Sequence, residues 1–317
     1  MMIFRLISQY MAIWTLIGAV LAYFQPGWFL IFGGVFQWLF AATMFALGVV
    51  IEPDELRTTV REPRQIGLGL LTQYLVMPTL GFTAAVLSGL PEAIALGLIV
   101  VACAPGAMAS NVIVYLAGGA VAYSVALTMV ATMLSPLVTP ALVEWLGGAF
   151  MDIPFWPMMQ TIFYIVVIPL FLGMLLRGRL GKALPAAKQV APAIAATSII
   201  IICSYAVAAN QERIHSVFQS TDGAVLVALV VGLNALGYLC GYGLAKLYRF
   251  DRRHRVALTI EIGMQNAGLG VVLALKHFSP ATALPAALFA FWCVLTAAMM
   301  TLWLRRSESK TPINSFT

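Results

Sequence analysis

The chain has 317 residues, of which 62% are hydrophobic and only 9% charged, and a formal net charge of +6. Soluble domains carry about 25% charged residues, so the composition excludes an ordinary water-soluble fold and makes a lipid bilayer the natural solvent. The basic surplus invites a nucleic-acid partner, but that reading lapses once the charges are sorted by side of the membrane.

A helix needs about 20 apolar residues to cross the hydrocarbon. Stretches of that length fall at residues 5–24, 28–51, 64–89, 92–117, 121–147, 154–177, 189–209, 223–247, 253–277 and 282–304, which predicts ten spans. The first has Arg5 before it and no small-residue cleavage site, so it reads as a span and not as a cleaved signal peptide. Loop signals mark the joints, among them Gln25-Pro26-Gly27, Glu52-Pro53-Asp54, Gly89-Leu90-Pro91, Gly118-Gly119 and Asp152-Ile153-Pro154. Span 4 is interrupted at Pro105-Gly106-Ala107-Met108-Ala109-Ser110-Asn111 and span 9 at Glu261-Ile262-Gly263-Met264-Gln265-Asn266. Pro78, Pro136, Pro140 and Pro169 read as ordinary kinks. The tail, residues 305–317, is expected on the cytoplasmic side, its polar stretch Ser307–Thr317 without structure.

With an even number of spans both termini lie on one side. All of the 18 Lys and Arg except Arg213 and Lys276 then fall on that same side. The positive-inside rule makes that side cytoplasmic. A bacterial inner membrane with both termini inside is the expected location. Five spans per half make the halves, 1–147 and 154–304, inverted repeats of each other. Polar interruptions at matching positions of two inverted halves are the sequence pointer to a transporter binding site.

The twelve acidic residues decide the chemistry. Glu52, Asp54, Glu55, Glu62, Glu92, Glu144, Asp152, Glu212, Asp222, Asp251 and Glu308 lie in loops or at span ends. Glu261 alone sits deep in a span. A carboxylate at membrane depth costs several kcal/mol unless neutralised, and no Lys or Arg lies at the centre of any span. The balancing charge is a bound cation or a proton. A permanently protonated Glu bonded to a neighbouring helix is the structural alternative. Gln265 shares a helix face with Glu261 at i, i+4, and Ser124 shares one with Thr128. With Ser110 and Asn111 these oxygen donors suit a hard cation. Nothing in the His and Cys pattern suits a transition metal.

Other features read blandly. His215, His254 and His277 lie near loops and read as solvated. Cys103, Cys203, Cys240 and Cys293 lie in apolar runs without metal or disulfide spacing. Gly237-Tyr238-Leu239-Cys240-Gly241 is expected to pack helices within the chain and not to mark a dimer. Trp28, Trp38, Trp156 and Trp303 read as interface anchors. The pattern holds no nucleophile–base pair for an enzyme and leaves no length for the output domain of a sensor.

The stretch Pro105–Asn111, then Ser124 and Thr128, and above all Glu261-Ile262-Gly263-Met264-Gln265-Asn266 resemble the bile acid:sodium symporter family, and Gln73 in Thr72-Gln73-Tyr74 fits its third span. The resemblance covers nearly the whole chain. It implies ten helices in two domains, a panel of spans 1, 2, 6 and 7 and a core of spans 3–5 and 8–10, with broken spans 4 and 9 crossing in the core. It implies two sodium sites: one of Ser110, Asn111, Ser124, Thr128 and Glu261, and one of Gln73, Glu261, Gln265 and the carbonyls of Ile262 and Met264. Asn266 would face the substrate crevice. Met108, and Cys293 with Val294 after Trp292, stand where many bacterial members are polar, and make the expected substrate wall more apolar. The implied function is sodium-coupled import of a small organic anion by alternating access. Pantoate-like or 2-oxo carboxylates are candidates, and bile acids are candidates in vitro. Sodium is the implied cofactor, with no organic cofactor, no nucleic acid and no required oligomer. A proton-coupled carrier or sodium/proton exchanger of the same fold is the alternative.

Overall fold

The computed structural model describes residues 11–52 and 61–308; the side chains of Met11, Ala12, Arg213, Phe218, Ala298 and residues 301–308 fall outside that description. So do the sequence readings on Arg5, Arg57, Asp54 and Glu55, on the Trp303 side chain, and on the tail beyond Glu308.

The described elements are helical throughout. They are α1 (Met11–Phe24), α2 (Gly27–Leu30), α3 (Phe36–Val50), α4 (Pro63–Leu87), α5 (Glu92–Ala102), α6 (Ser110–Leu116), α7 (Val121–Gly147), α8 (Phe155–Ile162), α9 (Ile168–Arg177), α10 (Leu184–Ala208), α11 (Gln211–Gln219), α12 (Thr221–Leu247), α13 (Arg252–Gly263), α14 (Ala267–His277) and α15 (Pro280–Glu308). Six continuous helical stretches are long and apolar enough to cross a membrane. A bent pair, Ile13–Phe24 with Gly27–Gly34 at 109°, makes seven if counted as one span. The chain is therefore a multi-pass helical membrane protein.

Each break has a chemical cause. The Pro26-Gly27 joint turns the chain through the 109° bend. Predicted span 2 accordingly starts with the short Gly27–Gly34 segment, and α3 follows it. Predicted spans 4 and 9 are each two helices, α5 with α6 and α13 with α14. A π turn, Phe163–Val167, precedes Pro169, whose missing N–H suits a loosened ladder. Pro78, Pro136 and Pro140 lie inside unbroken helices. The joint between predicted spans 7 and 8 holds a short helix, α11, which the apolar pattern did not signal because it is polar.

Small residues set the packing. The backbones of α3 and α9 touch: a Cβ on Gly48 would lie 2.2 Å from the Leu170 carbonyl, and one on Gly173 would lie 2.2 Å from that of Phe45. α3 also packs along α10, and α10 along α1. In the second group α12 packs on α13, α5 on α4 and α15, and α14 on α15. Gly237 and Gly241 of α12 lie against Ile262, Gly263, Leu258 and Thr259 of α13, with no room for a Cβ beyond about 3.1 Å. The GxxxG is an internal packing seam, as its sequence suggested. Trp28, Trp38 and Trp156 are exposed on the outer surface.

Candidate functional site

The two interruptions meet. Residues 103–109 and 264–266 cross as a short antiparallel bridge between Gly106 and Gln265. The Ala107 N–H donates to the Met264 carbonyl at 2.9 Å, and the Asn266 N–H to the Pro105 carbonyl at 2.8 Å. Helix ends leave carbonyls and N–H groups without intrahelical partners, and inside a bilayer those groups have no water to fall back on. The bridge satisfies part of that demand, and side chains satisfy much of the rest. Gln73 Nε2 donates to the Ala104 carbonyl at 3.3 Å and Thr139 Oγ1 to that of Cys103 at 2.9 Å. Asn234 Nδ2 donates to the Gly263 carbonyl at 2.8 Å, and its own carbonyl accepts from Thr296 Oγ1 at 2.8 Å. Asn266 caps α14, its Oδ1 accepting from the Leu269 N–H at 3.2 Å.

Beside this crossing lies Glu261, 1% exposed, two residues before the end of α13. Ser110 Oγ donates to its Oε1 at 2.5 Å, Ser124 Oγ donates to the same oxygen, and Thr128 Oγ1 donates to Oε2 at 2.8 Å. Ser124 also reaches Asn111 Oδ1 at 2.7 Å. Among the described residues no Lys, Arg or His pairs with Glu261. Ser110 opens α6 and Ser124 and Thr128 share a face of α7, so two helices deliver hydroxyls to the carboxylate of a third. Gly106 makes the approach possible: a Cβ there would lie 2.8 Å from Glu261 Oε2. All five residues of the first implied sodium site are thus brought together.

The second implied set is linked as well, with its oxygens engaged. Gln73 Nε2 donates to Gln265 Oε1 at 2.7 Å, and Gln265 Nε2 to the Ile262 carbonyl at 2.9 Å. The Met264 carbonyl holds the bridge, and the Glu261 carboxylate faces the hydroxyl cluster instead. Of the implied substrate wall, Asn266 and Cys293 are buried, while Met108 and Val294 are half-buried. Cys293 Sγ reaches the Ala290 carbonyl at 3.6 Å. Neighbouring Trp292 has a buried Nε1 with no hydrogen-bond partner among the described residues.

Sequence reasoning passed over Asn234 and Thr139, which hold the break carbonyls. Their one signal was a polar side chain within an apolar span. His254 and His277 correct an expectation, because both are half-buried, whereas His215 is exposed as expected. His254 places Nδ1 2.9 Å from Asp251 and Nε2 3.0 Å from Glu62, and packs edge-on to the Tyr123 ring. His277 contacts Thr161 and His215 contacts Tyr23. Apart from Asp251, these partners are distant in sequence, so position in a loop did not reveal them.

Residues 37–220 match the sodium bile acid symporter family. The chain belongs to that family. It is 36% identical over 313 residues to an uncharacterized sodium-dependent transporter, YocS, of Bacillus subtilis, covering 96% of this chain and 93% of that one. It is 35% identical over 277 residues to a probable chloroplastic sodium/metabolite cotransporter, BASS1, of rice (Oryza sativa subsp. japonica), covering 87% and 67%. The Arabidopsis thaliana protein of the same description is 31% identical, covering 96% and 75%. This symporter-family chain is a sodium-dependent membrane transporter and not an enzyme.

Proposed function

We propose that the chain is a sodium-coupled importer of a small organic anion that works by alternating access. The observation that carries the reading is Glu261, a buried carboxylate surrounded by hydroxyl and amide oxygens and given no cationic partner by the described chain. Sodium supplies the missing charge at Ser110, Asn111, Ser124, Thr128 and Glu261. A second sodium takes Gln73, Gln265, Glu261 and the Ile262 and Met264 carbonyls, and must displace the Gln73 and Gln265 N–H groups to do so. The N-termini of α6 and α14 face the crossing and favour the substrate carboxylate. Trp292 Nε1 offers a further donor beside Cys293 and Val294, and Met108 and Asn266 complete the wall. Pantoate-like and 2-oxo acids carry the carboxylate and the short, partly apolar body that such a wall would accept.

In this reading ten spans form two inverted repeats in a bacterial inner membrane, with both termini cytoplasmic. The packing supports a panel of α1, α3, α8–α9 and α10 against a core of the remaining spans. Sodium orders the crossing, the anion follows, and the panel rocks. Sodium and anion affinities must therefore rise together.

The test is uptake into proteoliposomes of a carboxylate chosen by thermal-shift screening with and without sodium. Replacing sodium by choline is expected to abolish uptake, and Glu261→Ala to abolish both uptake and sodium-dependent stabilisation. Full-rate uptake without sodium would overturn the proposal.

A further inference from the structure

Outside the crossing, a concave feature lies where the ends of α4, α12 and α13 meet. It is a cavity of about 290 Å³ lined by Arg64, Gln65, Tyr248, Arg249, Phe250, Asp251 and His254. Two guanidinium-bearing residues line it, and neither Arg64 nor Arg249 has an ion-pair partner among the described residues. The acids nearby are engaged: Asp251 accepts from the His254 N–H at 2.9 Å and meets its Nδ1, and Glu62 meets its Nε2.

Arg249 carries a second signal. Its φ is 60°, the one left-handed non-glycine backbone among the described residues. The end of α12 requires that conformation, because the Phe250 N–H folds back to the Ala245 carbonyl at 3.0 Å and the Arg249 N–H to that of Lys246 at 3.1 Å. Glycine or asparagine is the usual occupant of such a helix stop. An arginine there accepts backbone strain in order to place a long cationic side chain at the cavity, and strain of that kind concentrates at ligand clamps. Guanidinium forks match phosphate oxygens in geometry and charge. Basic pockets between helices at the membrane edge hold lipid headgroups.

We propose that the cavity between the ends of α4, α12 and α13 is a phosphate site, built on Arg64 and Arg249, that takes the headgroup of an anionic phospholipid. The site touches the transport machinery on two sides. Tyr248 Oη lies 3.0 Å from Thr72 Oγ1, next to Gln73. The Phe250 and His254 rings pack edge-on to Tyr123, next to Ser124, with centroids 6.0 and 5.1 Å away. A bound headgroup therefore braces α4 and α7, which carry ligands of both sodium sites. That coupling rests on the sodium reading above, whereas headgroup binding does not.

The experiment is calorimetric titration of the full chain in detergent with soluble dioctanoyl phosphatidylglycerol, with dioctanoyl phosphatidylcholine and with inorganic phosphate. Arg64→Gln combined with Arg249→Asn is compared with Arg253→Gln, a basic residue of the same region that does not line the cavity. Asparagine tolerates the left-handed backbone, so the double variant removes charge without new strain, and its melting temperature without lipid serves as the folding check. Saturable phosphatidylglycerol binding is expected, weakened about thirtyfold in the double variant, as loss of two basic contacts implies, and unchanged in Arg253→Gln. Phosphate is expected to bind more weakly and to be lost in the same variant. Phosphate binding as tight as the lipid would overturn the assignment to a lipid. Lipid binding indifferent to the double variant, or equally weakened by Arg253→Gln, would overturn the site. Sodium titration with and without the lipid then reads the coupling separately.

Discussion

At the scale of single residues the site depends on how closely other groups may approach one carboxylate. Glu261 accepts from Ser110, Ser124 and Thr128, and Gly106 lies over its Oε2. Gly106→Ala places a methyl group 2.8 Å from that oxygen, closer than carbon and oxygen tolerate. The carboxylate must then swing away from Thr128 or the crossing must open. Sodium-dependent stabilisation is expected to need at least about tenfold more sodium, a loss of about 1.4 kcal/mol, as read by sodium titration of the melting temperature. An unchanged sodium midpoint would show that Gly106 plays no part in positioning Glu261. This residue was legible in the sequence by elimination, since acidic side chains are rare in spans and the others had loops to occupy. Asn234 was not, although it is as buried as Glu261. An uncharged amide in a span has many bland uses, and nothing in α12 said that its partner is the Gly263 carbonyl.

At the scale of elements, length and punctuation carried most of the information. Apolar runs placed the helices to within a few residues, and Pro105-Gly106 and Gly263 marked where two of them break. The family resemblance implied that the breaks cross, but their register could not be read, because the Gly106–Gln265 bridge joins positions 159 residues apart and register at that range leaves no local trace. The joints between elements were likewise hidden. Glu52, just past α3, pairs with Lys188 of α10 and lies 3.7 Å from Arg177 of α9, while Arg177 also donates to the Val50 and Ile51 carbonyls at 2.9 and 2.5 Å. One clasp thus joins three helix ends. The Lys188 hydrogen bond and charge, with help from Arg177, hold the Glu52 carboxyl below its ordinary value of 4.5. A depressed carboxyl stabilises the fold above its ordinary value, and that contribution fades as pH falls below 4.5 through the depressed value. Glu52 is half-exposed, so solvent screens the clasp and its worth is small. Glu52→Gln is expected to lower the melting temperature slightly at pH 7, by an amount that shrinks progressively as the pH is lowered below 4.5. A difference that stays constant as the pH falls would mean that the clasp does not work through charge.

At the scale of the whole molecule, the proposed rocking motion needs an interface that seals and separates. One of the contacts between the two packing groups runs through the start of α14. A Cβ on Gly268 would lie 2.5 Å from Ile199 Cδ1 of α10 and 3.2 Å from a ring carbon of Phe40 of α3. Gly268 therefore lets the apolar side chains of Ile199 and Phe40 close over the N-terminus of α14, beside Asn266. Charge sorting along the sequence leads to the expectation of two halves of opposed orientation, but gives no sign of this seam. A glycine in an apolar helix looks the same whether it faces lipid or a moving partner. Both opposing atoms are ends of side chains and not backbone, so a larger residue should displace the panel without unfolding the core. Gly268→Leu is expected to leave sodium-dependent stabilisation within about threefold, because the Glu261 cluster lies on the other side of the break, yet to cut uptake by at least about tenfold by penalising the closed arrangement. Ile199→Ala removes the nearer obstacle and should restore much of the lost rate in the double variant, while costing little alone. Residues in contact show such non-additivity, and distant ones do not. If the double variant is as slow as the two single effects multiplied, the seam between α10 and α14 does not open and close during transport.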